Sequence, residues 1–157
     1  MLSGCAVAPR TQVITLEALQ SAPSQPVPDP HRVVVRDTET LRDLCTPLGP
    51  RMGLLEIRNR TEWERLAMIA PDVGPCPDLQ EGTQLGLACW AGTPIDGQWP
   101  VTFDTVRLYE GGGLVTASFS GGSFLPDGTS WLETGYVQGL RSVLVVNVDG
   151  ASFYPEP

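Results

Sequence analysis

Two stretches of this chain share one pattern, a short strand followed by a short helix, at an offset of 22 residues, so that Val33 corresponds to Leu55. Apolar residues alternate in each predicted strand and recur at i, i+3 and i+4 in each predicted helix. The corresponding apolar positions are Val33 and Val35 with Leu55 and Ile57, then Leu41, Leu44 and Cys45 with Trp63, Leu66 and Ala67. Two copies are too few for a repeat array. The pattern therefore predicts either a doubled strand–helix unit or two local structures that are similar by coincidence.

The predicted ends of the two helices support this interpretation. Asp37 and Asn59 are favoured N-cap residue types, and Glu62 three residues after Asn59 resembles a capping box. Pro47 and Pro71 follow the two apolar stripes and are expected to end the helices.

From Gln80 onward the pattern favours strands. Valine, threonine and aromatic residues predict strands at 83–90, 101–109, 114–120 and 140–148, and the glycine-rich segment 110–113 predicts a hairpin turn. Both faces of the last strand are largely apolar, so we expect it to be central and covered on both sides. The fold class expected is α+β, an antiparallel β-sheet with two short helices packed on one face.

A proline-rich stretch divides the chain into a tether and a domain. Residues 21–30 contain four prolines, which favour an extended, semi-rigid conformation. We expect residues 1–31 to be a largely disordered tether and residues 32–157 to form one α+β domain of ordinary size.

The first residues, Leu2-Ser3-Gly4-Cys5, resemble the lipobox of bacterial lipoproteins. The resemblance implies that Cys5 becomes a lipidated N-terminus, and two or more acyl chains there would hold the protein stably on a membrane. A leader also needs a charged start and an apolar run of about 7 to 15 residues. Only Met1 and Leu2 precede Ser3, so we expect an in-frame leader upstream of the Met1 codon; otherwise Cys5 is an ordinary thiol near a frayed end.

Composition excludes several classes of function. All ten basic residues are arginine, which leaves out the usual P-loop, a Schiff base to pyridoxal phosphate and a lysine general base. The single histidine, His31, lies at the edge of the tether, so Ser-His-Asp and Cys-His catalysis and histidine-based zinc sites are not expected. The net charge of -8 argues against binding to nucleic acid. We expect no cofactor and no metal.

The four cysteines, Cys5, Cys45, Cys76 and Cys89, show no Cys-x-x-Cys spacing. In an exported protein a disulfide is the better expectation, and we predict that Cys45 pairs with Cys76. Cys89 alternates with Leu85 and Leu87, so it is expected to be a buried core thiol.

Two loops are candidates for binding. The segment 120–131 contains Phe124, Asp127 and Trp131 among glycines, and the segment 91–100 carries Trp99. Longer loops with aromatic residues often bind ligands or partners, and tryptophans are favoured at interfaces. The alternative is that Asp127 belongs to an ordinary turn and that both tryptophans fold back to cap the sheet.

A second resemblance concerns residues 60–66, residues 82–92 and the strand pair around Gly111-Gly112-Gly113. These segments are similar to the small lipoprotein subunits of secreted bacterial protease complexes. This chain has Gly97-Gln98-Trp99-Pro100 where that family is expected to have Gly-Gly-Tyr. The resemblance implies a partner-binding role, and it carries over no catalytic residue.

The expected function is therefore that of a cell-envelope lipoprotein, anchored through lipid on Cys5 and facing the periplasm or the cell surface. A non-catalytic domain, held off the membrane by the tether, would bind or scaffold a protein partner in the envelope. One alternative is a small carboxylate-dependent hydrolase of envelope polysaccharide, with Asp96, Asp104, Asp127 and Glu133 as the available acids. Another is a modulator of a secreted protease.

Overall fold

Two five-stranded β-sheets pack face to face in this protein, and two helices cover the outer face of one of them. The fold is α+β. The computed structural model describes residues 21–109, 112–119, 122–140, 145–148 and 151–153. Cys5 and the rest of residues 1–20 lie outside the described part of the chain.

One of the two sheets lies in the middle, with the helices on one face and the second sheet on the other. It is called the central sheet here, and all its strand pairs are antiparallel. Its strands, in spatial order, are β2 (His31–Val35), β10 (Ser130–Gln138), β5 (Gly82–Cys89), β4 (Met52–Ile57) and β3 (Thr46–Pro47). The two long strands in the middle, β10 and β5, pair over eight residues.

The second sheet, here called the outer sheet, contains one parallel pair. Its strands, in spatial order, are β1 (Ser24–Gln25), β7 (Val101–Tyr109), β8 (Gly112–Phe119), β11 (Val145–Val148) and β12 (Ala151–Phe153). β8 and β11 run parallel, and the other pairs are antiparallel. A separate two-stranded ribbon joins β6 (Thr93–Pro94) to β9 (Phe124–Leu125).

Alternation along β5 fills two cores at once. Leu85, Leu87 and Cys89 are fully buried against the outer sheet. Ala88 lies in the opposite core beneath the helices, and an added Cβ at Gly86 would contact Leu55 and Leu132 there. Both faces of this strand are therefore shielded from water, which explains its nearly continuous small and apolar sequence.

The helices form as the repeated pattern predicts. They are α1 (Thr38–Leu44) and α2 (Arg60–Ile69), with 3-10 turns at Pro71–Val73 and Leu79–Glu81. The Asp37 carboxylate accepts from the Thr40 amide at 3.1 Å, and Asn59 accepts from the Glu62 amide at 2.9 Å. Glu62 in turn accepts from the amide of Arg58 at 2.8 Å, one residue before the N-cap, so the arrangement resembles a capping box without its bond to the N-cap amide.

Equivalent positions of the two strand–helix units meet in one core. Val33, Val35, Leu41, Leu55, Ile57, Trp63 and Leu66 are all buried there, with Leu44, Cys45 and Ala67 packed at its margin. β2 and β4 are not neighbours, because β10 and β5 lie between them. The doubled unit therefore flanks the central strand pair, with one helix following each flanking strand.

The structure differs from the sequence expectations in four respects. There are two sheets where one was expected, and the central strand β10 falls partly in the segment assigned to a loop. The strand expected at 140–148 is described at Val145–Val148, where it lies between β8 and β12 of the outer sheet and runs parallel to β8. Part of the expected tether packs on the domain, since Ser24 and Gln25 pair with β7 and Val27 is 6% exposed against Gly135.

The helix-side core generates a stability prediction. Leu66 is fully buried and Met68, two residues along α2, is 84% exposed. Leu66→Ala should lower the free energy of unfolding by about 2–5 kcal/mol, because it leaves a cavity, whereas Met68→Ala should stay within about 0.5 kcal/mol. Urea denaturation of both variants measures this difference. Equal destabilisation would mean that α2 does not pack through this face.

Candidate functional site

The two candidate binding loops meet in the β6–β9 ribbon. Thr93 pairs with Leu125 and Pro94 with Phe124, and the Ile95 amide donates to the Ser123 carbonyl at 3.0 Å. Gly92 begins the ribbon with φ +104°, and a Cβ there would collide with the Leu125 carbonyl. Only glycine fits this close approach, so the sequence itself fixes the crossing of the two loops.

The predicted residues Trp99 and Trp131 come together at the base of the ribbon. Their ring centroids are 4.9 Å apart and their planes cross at 89°, an edge-to-face pair. The Trp131 indole N–H donates to the Gly92 carbonyl at 2.8 Å, which ties the ring to the first residue of the ribbon. Both side chains are half-buried against the core between the sheets. They hold the ribbon in place and expose little surface of their own.

A buried carboxylate continues this cluster inward. Glu133 is fully buried between the sheets, where it accepts from Arg32 Nε at 2.9 Å and from the Phe103 amide at 2.6 Å. The Arg32 guanidinium also lies 5.3 Å from the centre of the Trp99 ring. Glu133 therefore connects the central sheet to β7 of the outer sheet, and its partner Arg32 covers one tryptophan of the pair.

The other predicted acids are exposed and hold local turns or strand pairs. Asp96 accepts from the Gln98 amide at 3.0 Å, and Asp104 accepts from the Ser118 hydroxyl at 2.8 Å. Since Glu133 is enclosed between the sheets, it does not share an open cleft with either of them. This arrangement gives no geometric support to a hydrolytic pair that includes Glu133.

Asp127 pins the two loops to each other. Its carboxylate accepts from the Thr93 hydroxyl at 2.5 Å and from the Thr129 amide at 3.1 Å. The hydroxyl bond and then the amide bond lower the pKa of Asp127, because both stabilise the charged form. The predicted residue is thus a turn residue that also crosses to β6.

Two exposed aliphatic side chains, which sequence reasoning missed, lie on the ribbon. Ile95 is 63% exposed and Leu125 is 53% exposed. Beneath them Phe124 stacks on Phe119 with centroids 6.2 Å apart, and Arg51 lies over the Phe124 ring at 5.8 Å. The signal available in the sequence was an aliphatic residue next to turn residues in each loop, as in Pro94-Ile95-Asp96 and Leu125-Pro126-Asp127.

The cysteines do not bond as expected. Cys45, Cys76 and Cys89 are free thiols, and Cys76 donates to the Pro77 carbonyl at 3.3 Å. Cys45 packs near Gly53 at the start of β4, whereas Cys76 lines a cavity with Arg58 just beyond its end. The predicted Cys45–Cys76 disulfide is therefore not formed in this structure.

Comparison with models of protein families, with curated proteins and with solved structures found no match to this chain. Among the described residues, no three histidine, cysteine or acidic side chains converge as metal ligands. No helix in the described part of the chain is long and apolar enough to cross a bilayer.

The Glu133 link generates a prediction. Glu133→Gln should lower the free energy of unfolding by about 1–3 kcal/mol, because the amide cannot satisfy both Arg32 and the Phe103 amide as the carboxylate does. Glu64→Gln on the exposed face of α2 is the matched control and should be neutral. Chemical denaturation measures the free energy of unfolding of both variants. An unchanged value for Glu133→Gln would mean that the carboxylate does not stabilise the packing of the two sheets.

The thiols generate a second prediction. Burial raises the pKa of Cys45 to about 12 and also raises the pKa of Cys89. Since the thiolate is the reactive form, iodoacetamide at pH 8 should modify Cys76 well before Cys45 and Cys89 in the folded protein. Peptide mass spectrometry measures each rate, with urea-unfolded protein as the control in which the rates converge. Equal rates in the folded state, or a Cys45–Cys76 cross-linked peptide, would contradict the structure.

Proposed function

We propose that this protein is a cell-envelope lipoprotein whose domain binds a protein partner through the ribbon tip, defined as Ile95 and Leu125 with the turns that carry them. The observation that carries the proposal is the exposure of these two aliphatic side chains, 63% and 53%, on a braced ribbon. They are two of the five large apolar side chains that the described residues expose. Protein interfaces place such groups at their centre and polar groups around them.

The bracing favours binding, because side chains and loops that become ordered on association lose conformational entropy, and this loss lowers the affinity. The ribbon is tied down by the Trp131 bond to Gly92, by the Asp127 bonds to Thr93 and Thr129, and by the stacking of Phe124 on Phe119. Ile95 and Leu125 are thereby presented in a fixed geometry. Asp96 and Asp127 beside them supply the polar rim.

The attachment of the N-terminal segment also supports the proposal, because it places the ribbon tip far from the expected membrane anchor. Ser24 and Gln25 pair with Arg107 and Val106 of β7, whereas Trp99 and the ribbon precede Val101 at the other end of that strand. The expected anchor at Cys5 therefore leads to the end of β7 that is distant from the ribbon. From Cys5 to Ser24 the chain can reach about 65 Å at full extension, enough to hold the tip away from a membrane.

The proposal is tested by photo-cross-linking in cells that express the gene with its upstream sequence. A photoreactive residue at position 125 should give one discrete adduct, identified by mass spectrometry, and Ile95→Asp should reduce its yield by about tenfold or more. Position 68 is the matched control, since Met68 is at least as exposed but lies on α2.

Two results would contradict the proposal. Adducts that are the same from positions 125 and 68 would mean that the ribbon tip is not a specific surface. Recovery of the Cys5→Ser variant in the membrane fraction at the wild-type level would remove the lipid anchor, since lipid on Cys5 is the proposed attachment.

A further inference from the structure

A cavity that is separate from the ribbon tip opens between α1 and the turn that joins β3 to β4. Its volume is about 590 Å³, in the range of sites that hold small organic ligands. The lining residues are Thr38, Glu39, Arg42, Asp43, Pro47, Gly49 and Trp90. None of these residues carries the proposed partner binding.

Trp90 forms a fixed wall of this cavity. Its indole N–H donates to the Pro50 carbonyl at 2.8 Å, and its backbone amide donates to the Arg51 carbonyl at 2.8 Å. The ring lies directly against Gly53, where an added Cβ would be only 2.6 Å from it. The ring is therefore held at its nitrogen, at its backbone and along one edge.

Arg42 is positioned by this ring, and among the described residues its guanidinium has no other partner. Its guanidinium lies 5.4 Å from the centre of the Trp90 ring. The ion pairs within the described chain are Arg32 with Glu133 and Arg58 with Glu56, and no hydrogen bond from the Arg42 guanidinium is present there. With respect to this part of the chain its N–H donors stay open, and they match a carboxylate in a two-point contact.

Two carboxylates line the same cavity. Glu39, Arg42 and Asp43 are spaced i, i+3 and i+4 on α1, so they share one side of the helix. Neither carboxylate forms an ion pair with Arg42 within the described residues. The wall therefore presents one positive and two negative charges that do not neutralise each other by contact.

We propose that this cavity binds a small zwitterion, a molecule with an ammonium and a carboxylate a few bonds apart, as in a free amino acid. The ligand carboxylate pairs with Arg42 and the ammonium lies toward Glu39 and Asp43. A simple anion would gain the contact with Arg42 but face two like charges, and a simple cation would leave Arg42 unpaired. A zwitterion satisfies both sets of groups.

The test uses the full chain, labelled with ¹⁵N and followed by NMR. Alanine, acetate, methylamine and inorganic phosphate are titrated separately, with shifts of the Arg42 and Trp90 signals as the readout. Alanine should bind at least about tenfold more tightly than acetate or methylamine, since it makes both charged contacts.

Variants assign the contacts. Arg42→Met keeps an aliphatic chain over Trp90 and removes the charge, and Glu39→Gln with Asp43→Asn removes the two carboxylates. Each should weaken alanine binding by about tenfold, while Arg60→Met on α2 should leave it unchanged. Amide spectra confirm that the variants remain folded, as expected for exposed positions.

Three results would overturn the proposal. Acetate or phosphate binding as tightly as alanine would make this an anion site, and methylamine binding as tightly would make it an acidic patch. No saturable shift with alanine would mean that the cavity takes no zwitterion. None of these outcomes bears on the ribbon tip, because the two sites share no residue.

Discussion

Strand β5 has no face left for water, and the rest of the structure follows from that constraint. Leu85 and Leu87 are sealed by the outer sheet, while Ala88 is sealed by the layer that contains α1 and α2. A sheet buried on both sides needs a cover on each. The helices of the doubled strand–helix unit supply one cover, and β7 and β8 supply most of the other.

Among the described residues, the buried polar side-chain atoms of this double core have hydrogen-bond partners, with Trp99 Nε1 as the exception. Glu133 is the clearest case, since its carboxylate satisfies the Phe103 amide in one sheet and pairs with Arg32 at the edge of the other. The same cluster supports the tryptophan pair, and Trp131 in turn holds Gly92 at the start of the ribbon. The exposed ribbon tip is thus continuous with the buried interior, which is why its loops hold one conformation relative to each other.

The sequence predicted the elements whose patterns are local. The two capped helices, β5 and β7 were predicted from periodicity and capping residues close to where they lie. Strand β10 was missed because Glu133 and Gly135 interrupt its apolar pattern. Each is explained by a residue distant in sequence, since Glu133 pairs with Arg32 and Gly135 leaves room for Val27. The candidate site, too, was predicted only in part from the sequence. Its loops were found from composition, but which side chains face outward depends on the crossing at Gly92, so Trp99 and Trp131 brace the site and Ile95 and Leu125 are exposed.

Amide hydrogen exchange of the wild-type chain tests the double burial of the central sheet most directly. Amides in the middle of β5 should exchange only through global unfolding, with an opening free energy equal to the free energy of unfolding measured in urea. Ribbon amides such as that of Ile95 should exchange through smaller openings. Amides of β5 that exchange as readily as those of the ribbon would show that one of its two covers is absent in solution, and would contradict the account.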